Sequence, residues 1–598
     1  MGASNLTLTE SLDALRVRWP FVSDVLGGHY AVWLGSGISR ERFPDLGTLL
    51  RELLEILHSR IQAGDANCPY RRCLENVIQL TTIRPRNLLD EPPANWSNDR
   101  GELVAEEIVN QLWSRYPDVL DQTLRVNGET LTVTFHLLKL DEIYGDASKQ
   151  PDAEHRFLAL LIAEGILDEL VTTNWDALIE AAHEACGNGV DRRLDVVAAG
   201  EDIDGTGVAG IARLTKIHGC ARKSLAEPHR YRQHILATRT DITSWGHRPE
   251  VAPLRDMVHQ LLRERPALFI GLSGQDWNLQ SECFAAFAPV PPMANKRPRV
   301  IFSTPNLDAP QKAFLKVIYP ANDYATNEER LTTDAALPLR GKPLLGTLYL
   351  LTLLLKAREF VNRGSQDLSK PWCDFIEQAR KTWQSFLQQR YDAATDPNDS
   401  HQAWRQLADE LPNVATRFVT IYRNLTTLSS PTAYRALDNR HLGLLKSEST
   451  VPELNYHWLM LVLAVLKEGW AQNLWSLGLA LGQETRHGQF VLSLSGRDLS
   501  VFIVRDGANS LSRMIQDQIV DMRHAANLVV IYPADREPAR RSVGTPSHAR
   551  TRRSLSANRF PNRTPRSGPL EIWMRDRVDA HAQPATLLHA LQQEMQSS

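Results

Sequence analysis

Short apolar segments that end in glycine or a polar residue alternate with helical patterns over the first 310 or so residues. The first segment, Tyr30 to Leu34, runs directly into Gly35, Ser36 and Gly37. An apolar run of this length suits a strand buried on both faces, and strands that alternate with helices form parallel sheets. The pattern therefore predicts an α/β fold with a doubly wound parallel sheet. The other candidate strands lie within Leu170 to Thr173, Arg213 to Cys220, Leu268 to Gly271 and Arg299 to Asn306.

The glycine turn at Gly35 to Gly37 is a candidate anion site. Glycine lets the main chain approach an anion, and main-chain N–H groups with a following helix N-terminus can hold a pyrophosphate. The dinucleotide fingerprint has a third glycine where this chain has Arg40. An acidic residue suited to hold a ribose about 20 residues later is also missing. The turn alone therefore leaves two alternatives open, a nucleotide site and ordinary punctuation after a strand.

Polar residues follow two further candidate strands. Asn174 and Asp176 come directly after Leu170 to Thr173, and His218 follows the alternating segment that begins at Arg213. Ligands bind at the carboxyl ends of parallel strands, so these side chains are candidates for binding or catalysis. The alternative is structural: Asn174 can cap the next helix, and Asp176 can complement the dipole of that helix. A histidine at a strand end is likewise often structural.

Composition indicates an ordinary globular protein with more than one domain. A chain of 598 residues, 43% apolar and 23% charged, exceeds what one hydrophobic core usually serves. Lys plus Arg number 67 and Asp plus Glu 70, which predicts no overall attraction to nucleic acid or an acidic membrane. Six cysteines without a pairing rhythm and the lack of a signal-peptide pattern predict a cytoplasmic protein. A membrane span needs roughly 20 apolar residues, and the two most apolar stretches, Leu344 to Leu355 and Trp458 to Leu466, are shorter than that. The stretch Leu344 to Leu355 instead predicts a buried core helix.

Two domains are predicted. Residues 1–330 form the candidate catalytic domain, with a mainly helical insertion at about 47–150 that begins with the leucine stripe of residues 46–57. Residues 335–598 form a C-terminal domain that is largely helical up to about residue 485 and then a small α/β unit. Within it, 489–504 predicts two strands around a turn at Gly496 to Asp498, with a helix to about Arg523 and a strand at 528–532. The Arg-rich segment 536–566 predicts a mobile loop, which either contacts phosphate backbones or is a solvated linker.

Four motifs resemble those of the sirtuin-like, or SIR2-family, NAD-consuming domains, and they occur in the same order. The resemblance covers about residues 20–310 and implies a Rossmann-like fold that takes NAD as its substrate. The matching motifs are GSGIS at 35–39 with Phe43-Pro44-Asp45, then Thr173-Asn174-Trp175-Asp176, Ile217-His218-Gly219 and Gly271-Leu272-Ser273.

The resemblance also implies roles for single residues. His218 would act catalytically by accepting a proton from a ribose hydroxyl or from water, and Asn174 would orient the ribose hydroxyls or the attacking water. Asp176 would lie near the nicotinamide carboxamide. Trp175 replaces an aliphatic residue of the family motif, so it either walls the pocket or is a structural indole. The remaining implied NAD-binding residues are Gly35, Ser36, Gly37, Ser39, Pro44, Asp45, Thr173, Gly271 and Ser273.

The chain departs from the sirtuin protein deacylases in two ways. In those enzymes paired cysteines after the catalytic histidine hold a structural zinc, whereas here Cys220 is followed next by Cys283. Leu46 stands where an arginine normally follows the Pro-Asp pair. With the long second domain, these departures make the chain similar to bacterial sirtuin-like defence NADases that destroy NAD during phage infection. The resemblance therefore implies NAD as substrate and no zinc.

The sequence thus predicts an NAD glycohydrolase effector of abortive infection. One alternative is a protein deacylase or ADP-ribosyltransferase using the same site, and another is a non-catalytic module that senses NAD or ADP-ribose. The resemblance implies a homo-oligomer, a companion defence protein, or both. The companions of this group are short Argonaute proteins, DNA-translocating ATPases and phage structural proteins that act as triggers. Nucleic acid is an expected partner only through the Arg-rich loop, and no membrane partner is expected.

Overall fold

The computed structural model describes most of the chain. The described residues are 6–62, 64–65, 67–187, 192–203, 210–274, 279, 298–363, 368–393, 400–423, 433–446, 456–479, 489–504, 515–516, 527–533 and 569–597. The predicted helix up to about Arg523 lies mostly outside these residues, and the Arg-rich segment 536–566 lies wholly outside them.

A parallel sheet of seven described strands forms the centre of the N-terminal half, as the sequence predicts. Its order is β5-β6-β4-β1-β7-β8-β9, and every neighbouring pair is parallel. A separate antiparallel hairpin consists of β2 and β3. The strands are β1 (Ala31–Leu34), β2 (Thr123–Val126), β3 (Glu129–Thr132), β4 (Glu169–Thr172), β5 (Arg193–Val197), β6 (Ile211–Lys216), β7 (Ala267–Ile270), β8 (Val300–Ser303) and β9 (Ala336–Leu337).

Helices cover both faces of this sheet, which explains the continuous apolar runs. Val32 and Leu34 face the cluster that contains α1, α2, α8 and α9, whereas Ala31 and Trp33 face the cluster that contains α13, α14 and α15. The helices are α1 (Leu8–Val17), α2 (Trp19–Leu26), α3 (Leu46–Ser59), α4 (Pro69–Gln79), α5 (Ala105–Trp113), α6 (Tyr116–Leu120), α7 (Leu140–Tyr144), α8 (Ala153–Ala163), α9 (Leu178–Ala185), α10 (Ala221–Ala226), α11 (Pro228–Tyr231), α12 (Arg239–Ser244), α13 (Ala252–Glu264), α14 (Ala309–Ile318) and α15 (Ala321–Ala335).

The insertion between β1 and α8 has a core of its own. The leucine stripe of α3 is buried there against α4 and α5. The insertion is mainly helical, but it also contains the β2–β3 hairpin, which the sequence analysis did not predict. Asn127 and Gly128 form its turn with φ angles of 52° and 90°, the left-handed conformations that favour these two residue types.

The C-terminal half begins with a buried helix that packs along α8, as predicted for the apolar stretch at 344–355. Lys356 of this helix pairs with Glu164 at the end of α8 at 2.9 Å, and both side chains are fully buried. The predicted division near residue 330 stays a prediction, since β9 at 336–337 still pairs with β8. The helices are α16 (Gly341–Arg363), α17 (Lys370–Ala393), α18 (Ser400–Arg423), α19 (Leu442–Lys446), α20 (Tyr456–Ala471), α21 (Met574–Ala580) and α22 (Pro584–Ser597).

A second sheet follows these helices, with the order β10-β11-β12-β13-β14. The β11–β12 hairpin is confirmed, but its turn falls one residue early: Ser495 and Gly496 have φ of 52° and 80°, and Arg497 already pairs in β12. The prediction of helix up to residue 485 is wrong where β10 pairs with β11, a contact that a local pattern does not reveal. The strands are β10 (Ser476–Leu479), β11 (Gln489–Leu494), β12 (Arg497–Ile503), β13 (Leu528–Tyr532) and β14 (Leu570–Trp573).

Within the described ranges, none of the helices combines the length and the apolarity that crossing a bilayer requires.

Candidate functional site

The carboxyl ends of four neighbouring strands form one row at the edge of the large sheet. Lys216 of β6 is in register with Thr172 of β4. Leu34 of β1 is in register with Thr172 on one side and with Ile270 of β7 on the other. Because neighbouring strands lie about 4.8 Å apart, the loops that follow leave the sheet side by side. The residues two positions beyond the row are His218, Asn174, Ser36 and Leu272.

The glycine turn after β1 packs main chain to main chain against the turn after β7. The N–H group of Gly37 donates to the carbonyl oxygen of Gly271 at 3.1 Å. A Cβ atom at Gly35 would lie 2.5 Å from that oxygen, and one at Gly271 would lie 2.9 Å from the nitrogen of Ile38. Gly271 also has a φ of +70°. Glycine is therefore required here by the close approach of the two loops.

Most of the main-chain N–H groups in this turn are used within the fold. Those that donate to main-chain carbonyl oxygens belong to Gly35, Gly37, Ile38 and Ser39. Ser36 and Arg40 are exposed in the same turn. Arg40 occupies the position of the third glycine of the fingerprint, and a guanidinium is a strong ligand for phosphate. The side chains of Ser36 and Arg40 are therefore accessible to a ligand at this turn, whereas these four amides are already bonded.

The side chain of Asn174 is held inside the site and is 7% exposed. Its Nδ2 donates to the carbonyl oxygen of Gly35 at 3.2 Å and to Oγ of Ser39 at 3.3 Å. A carbonyl oxygen only accepts, so Gly35 determines which end of the amide faces it. Oδ1 is buried and has no hydrogen-bond partner within the described part of the chain. Asn174 thus offers a fixed hydrogen-bond acceptor to a ligand.

The structural alternative holds for Asp176, which bonds the first N–H group of α9, whereas Asn174 does not cap that helix, whose cap position is Ala177. Oδ1 of Asp176 accepts from the N–H group of Leu178, the first residue of α9, at 3.1 Å. The main-chain oxygen of Asp176 also accepts from Nζ of Lys216, which pairs with Glu180 at 2.8 Å and is fully buried. These bonds fix the loop that carries Asn174. The predicted contact of Asp176 with the nicotinamide carboxamide stays a prediction.

His218 lies half-buried in the turn after β6. Its main-chain oxygen accepts from the N–H group of Leu236 at 3.1 Å. Gly219 follows with a φ of +86°, and a Cβ atom there would lie 2.4 Å from a neighbouring carbonyl oxygen. The N–H group of Ala221 donates to the carbonyl oxygen of Trp175 at 2.9 Å. Main-chain bonds therefore tie the His218 loop to the Asn174 loop.

Ser39 connects Asn174 to His155, a residue that the sequence analysis did not single out. Oγ of Ser39 lies 3.1 Å from Nε2 of His155. Nδ1 of His155 accepts from the N–H group of Asp152 at 3.2 Å, so the ring proton is on Nε2 and donates to Ser39. Burial lowers the pKa of His155 to about 4, which keeps the ring neutral near pH 7. The only sequence signal is the position of His155 three residues after a helix-capping Asp152.

The other predicted NAD-binding residues surround this centre. Oδ1 of Asp45 accepts from the N–H group of Thr48 at 2.7 Å and so caps α3, and this bond lowers the pKa of Asp45. The N–H group of Thr173 donates to a carbonyl oxygen of β1 at 3.2 Å. Pro44 is half-buried and Ser273 is exposed. Their contacts with NAD stay predictions.

Trp175 packs against the helical insertion. Its ring meets that of Tyr144 edge-on with a centroid distance of 5.3 Å, and Tyr144 lies 5.0 Å from the ring of Phe43. Phe43 belongs to the loop that follows the glycine turn. The three rings therefore connect that loop, the insertion and the Asn174 loop, which favours the structural interpretation of Trp175.

The cysteines form no zinc module in the part of the chain that the structure describes. Five cysteines lie in that part, and all of them are free thiols, namely Cys68, Cys73, Cys186, Cys220 and Cys373. Among the described residues, no group of three or more His, Cys, Asp or Glu side chains is placed to hold a metal ion.

Comparison with known families matches residues 168–316 to the SIR2-like domain. No curated protein matches the chain. The matched segment runs from β4 to α14 and contains Asn174, His218 and Gly271. The glycine turn at 35–37 lies outside it, but β1 pairs with both β4 and β7 of the matched segment. With its Rossmann-like parallel sheet, the chain therefore contains a SIR2-like domain.

Proposed function

We propose that the chain is an NAD glycohydrolase that cleaves NAD to nicotinamide and ADP-ribose. SIR2-like domains are in general NAD-dependent enzymes, so the domain indicates an NAD-related function. The row of strand ends supports the finer proposal best. It brings the loops of His218 and Asn174 onto neighbouring strands and the glycine turn onto the next one.

The geometry around Asn174 fits NAD. A buried acceptor without a partner costs about 1–3 kcal/mol, so Oδ1 is suited to accept from a ribose hydroxyl or from the attacking water. Gly35 and Ser39 fix that atom in place. On the next strand, the exposed side chains of Ser36 and Arg40 supply donors for the pyrophosphate. The ribose that carries the bond to be broken would then be held both at its hydroxyls and through the pyrophosphate.

Hydrolysis requires one bond to break and one to form. The bond between the ribose and nicotinamide breaks with the electron pair leaving on nicotinamide, which departs as a neutral ring. The ribose gains positive character, as in other glycoside cleavages. Water then bonds to the ribose carbon, and His218 takes the proton that the water loses. Such general-base help typically contributes about a hundred to ten-thousand-fold to the rate.

Hydrolysis is favoured over deacylation by the missing paired cysteines. Cys220 is followed next by Cys283, so the module that helps to form the acyl-peptide groove of the deacylases has no counterpart at that point of the sequence. A water molecule, rather than an acylated lysine, then remains as the nucleophile.

We further propose that this activity serves abortive infection, with the C-terminal half responding to a trigger. Lys342 and Arg405 of the C-terminal helices bind Asp152, three residues before His155, which supports such control. A homo-oligomer or a companion chain would act through those helices. The companion remains open among a short Argonaute, a DNA-translocating ATPase and a phage structural protein.

The test is to incubate the purified full chain with NAD, with and without an acetylated peptide, and to measure free nicotinamide. Release without peptide is the expected result, and the Asn174→Ala protein serves as the inactive control. Release only with peptide would indicate a deacylase, and binding of NAD without turnover would indicate a sensor. If the purified chain releases no nicotinamide, and NAD also persists in phage-challenged cells that express the chain, the proposal is overturned.

A further inference from the structure

We infer that His155 is a positioning residue for the reaction: through Ser39 it holds the amide of Asn174 with its oxygen turned into the site. The inference rests on the proposed function, because it explains how Asn174 is prepared for the substrate. His155 itself lies behind the site on α8 and is fully buried. It therefore acts through Ser39 and not on the substrate.

The direction of each hydrogen bond follows from the main chain. The N–H group of Asp152 only donates, so Nδ1 of His155 must accept and Nε2 must carry the proton. Nε2 then donates to Oγ of Ser39 at 3.1 Å. Nδ2 of Asn174 donates to the same oxygen at 3.3 Å. One serine oxygen thus accepts from both side chains.

This chain of bonds settles the orientation of the amide together with Gly35. If the Asn174 amide were turned over, its oxygen would face the carbonyl oxygen of Gly35, and neither atom can donate. Ser39, His155 and Asn174 are all at most 7% exposed, so water does not replace a lost partner easily. The free Oδ1 therefore points away from both partners.

The protonation state of His155 suits a positioning role. Burial lowers its pKa to about 4, with Asp176 and Asp152 raising it and Arg42 and Lys342 lowering it by smaller amounts. The ring consequently stays neutral over the range in which enzymes of this class would be assayed. It exchanges no proton there and so does not duplicate the role of His218.

Two substitutions at His155 separate the effect of losing its hydrogen bonds from the effect of changing the volume of its side chain. Glutamine at the third position of a helix is a usual capping partner, and in His155→Gln its oxygen can accept from Asp152 while its NH₂ group reaches Ser39. His155→Leu introduces an apolar side chain of similar size and removes both hydrogen bonds. Ser39→Ala removes the next link of the same chain.

The experiment measures kcat, KM and the pH profile of kcat for NAD cleavage in these variants. We expect His155→Leu to lower kcat about 10- to 100-fold with little change in KM, as a misplaced catalytic group does. His155→Gln should restore kcat to within about threefold with the wild-type pH profile. The inference is overturned if the Leu variant keeps its kcat, if the folded Gln variant is as slow as the Leu variant, or if the Gln variant shifts the profile.

Further measurements test the inference if the Leu variant does not fold or if the wild-type protein does not cleave NAD. If His155→Leu does not fold, Ser39→Ala must show the same loss of kcat with unchanged KM, or the inference is wrong. If the wild-type protein does not cleave NAD at all, the proposed function fails. In that case crystal structures of the wild type and of the Leu variant decide the inference. An Asn174 amide that keeps its position and its bond to Ser39 in the variant overturns it, and an amide displaced from Ser39 supports it.

Discussion

Arg405 of α18 donates through Nε to Oδ1 of Asp152 at 2.7 Å, across 253 residues of sequence. The same carboxylate binds Lys342 of α16 and Arg42 of the loop after the glycine turn, each at 2.9 Å. Burial acts to raise the pKa of Asp152, but the hydrogen bonds from Arg405 and Lys342 hold it well below its usual range. Because Asp152 also fixes His155, two helices of the C-terminal half contact the support of the candidate site.

Removing this contact should weaken both the fold and the site. In Arg405→Gln, Asp152 keeps Lys342 and Arg42 but loses a charge-assisted bond at a carboxylate that is only 2% exposed. We expect the free energy of unfolding to fall by about 1–2 kcal/mol. NAD turnover per folded molecule should also fall, because His155 loses part of its support. Denaturation in urea and nicotinamide release measure the two effects.

The same helix offers a matched control. Asp409, one turn along α18, pairs with Arg156 of α8, and these side chains are 60% and 40% exposed. Asp409→Asn therefore removes an ion pair between the same two helices without touching Asp152. This substitution should change the free energy of unfolding by no more than about 1 kcal/mol, and NAD turnover should not change. Equal losses of turnover in the two variants would show that contact between the helices matters and that Asp152 does not.

His218 and Asn174 should be required for turnover but not for folding. We expect His218→Ala to lower kcat about a hundred to ten-thousand-fold, since it removes the proposed base. Asn174→Ala removes the bonds to Gly35 and Ser39, which should cost about 1 kcal/mol of stability, and it removes the free acceptor. Nicotinamide release and thermal melting are measured together. If both residues are only structural, the melting temperatures fall while activity per folded molecule survives.

The large sheet was predictable because its strands are buried on both faces. In β1, Val32 and Leu34 pack into one core cluster and Ala31 and Trp33 into the other, so every position is apolar and the run stands out. The polar residues that end such runs then fall at one edge by topology alone. Asn174 and His218 could be placed together for this reason, before any side-chain geometry was known.

Contacts between distant segments were not predictable from local patterns. His155 stands at the start of an apolar helical pattern, and nothing in that pattern points to Ser39. The bond between Arg405 and Asp152 depends on how α18 packs against α8. The glycines at 37 and 271 suggested phosphate binding from the sequence. In the structure, glycine is required at both positions because the two loops pack closely against each other.

Glu154 should make the protein less stable as the pH rises. Burial raises the pKa of this carboxyl group to about 8, with Lys342 at 3.8 Å opposing the shift. The folded chain therefore holds a proton that the unfolded chain loses near pH 4.5. Between these values the folded state binds more protons, so the free energy of unfolding falls with rising pH and levels off above about pH 8.

The substitution Glu154→Gln should flatten this dependence, because glutamine has a similar shape and does not titrate. Urea midpoints at about pH 5 and pH 8 measure the difference for wild type and variant. Glu107→Gln, at an exposed position of α5, removes a carboxyl group of the same type from the surface and serves as the control. A wild-type slope that persists in the Glu154 variant would assign the pH dependence to other groups.

The close approach of the two glycine turns should make Gly271→Ala far more damaging than an ordinary substitution of glycine. Gly271 and Gly128 both have positive φ angles, 70° and 90°, so alanine at either position pays a conformational penalty of about 1 kcal/mol. At Gly128 the new Cβ atom meets nothing within 4 Å, whereas at Gly271 it lies 2.9 Å from the main-chain nitrogen of Ile38. We therefore expect Gly271→Ala to lower the free energy of unfolding by about 1–3 kcal/mol more than Gly128→Ala, and to reduce NAD binding as the turn moves. Thermal melting and calorimetric titration with NAD measure both effects, and similar losses in the two variants would mean that the turns separate without cost.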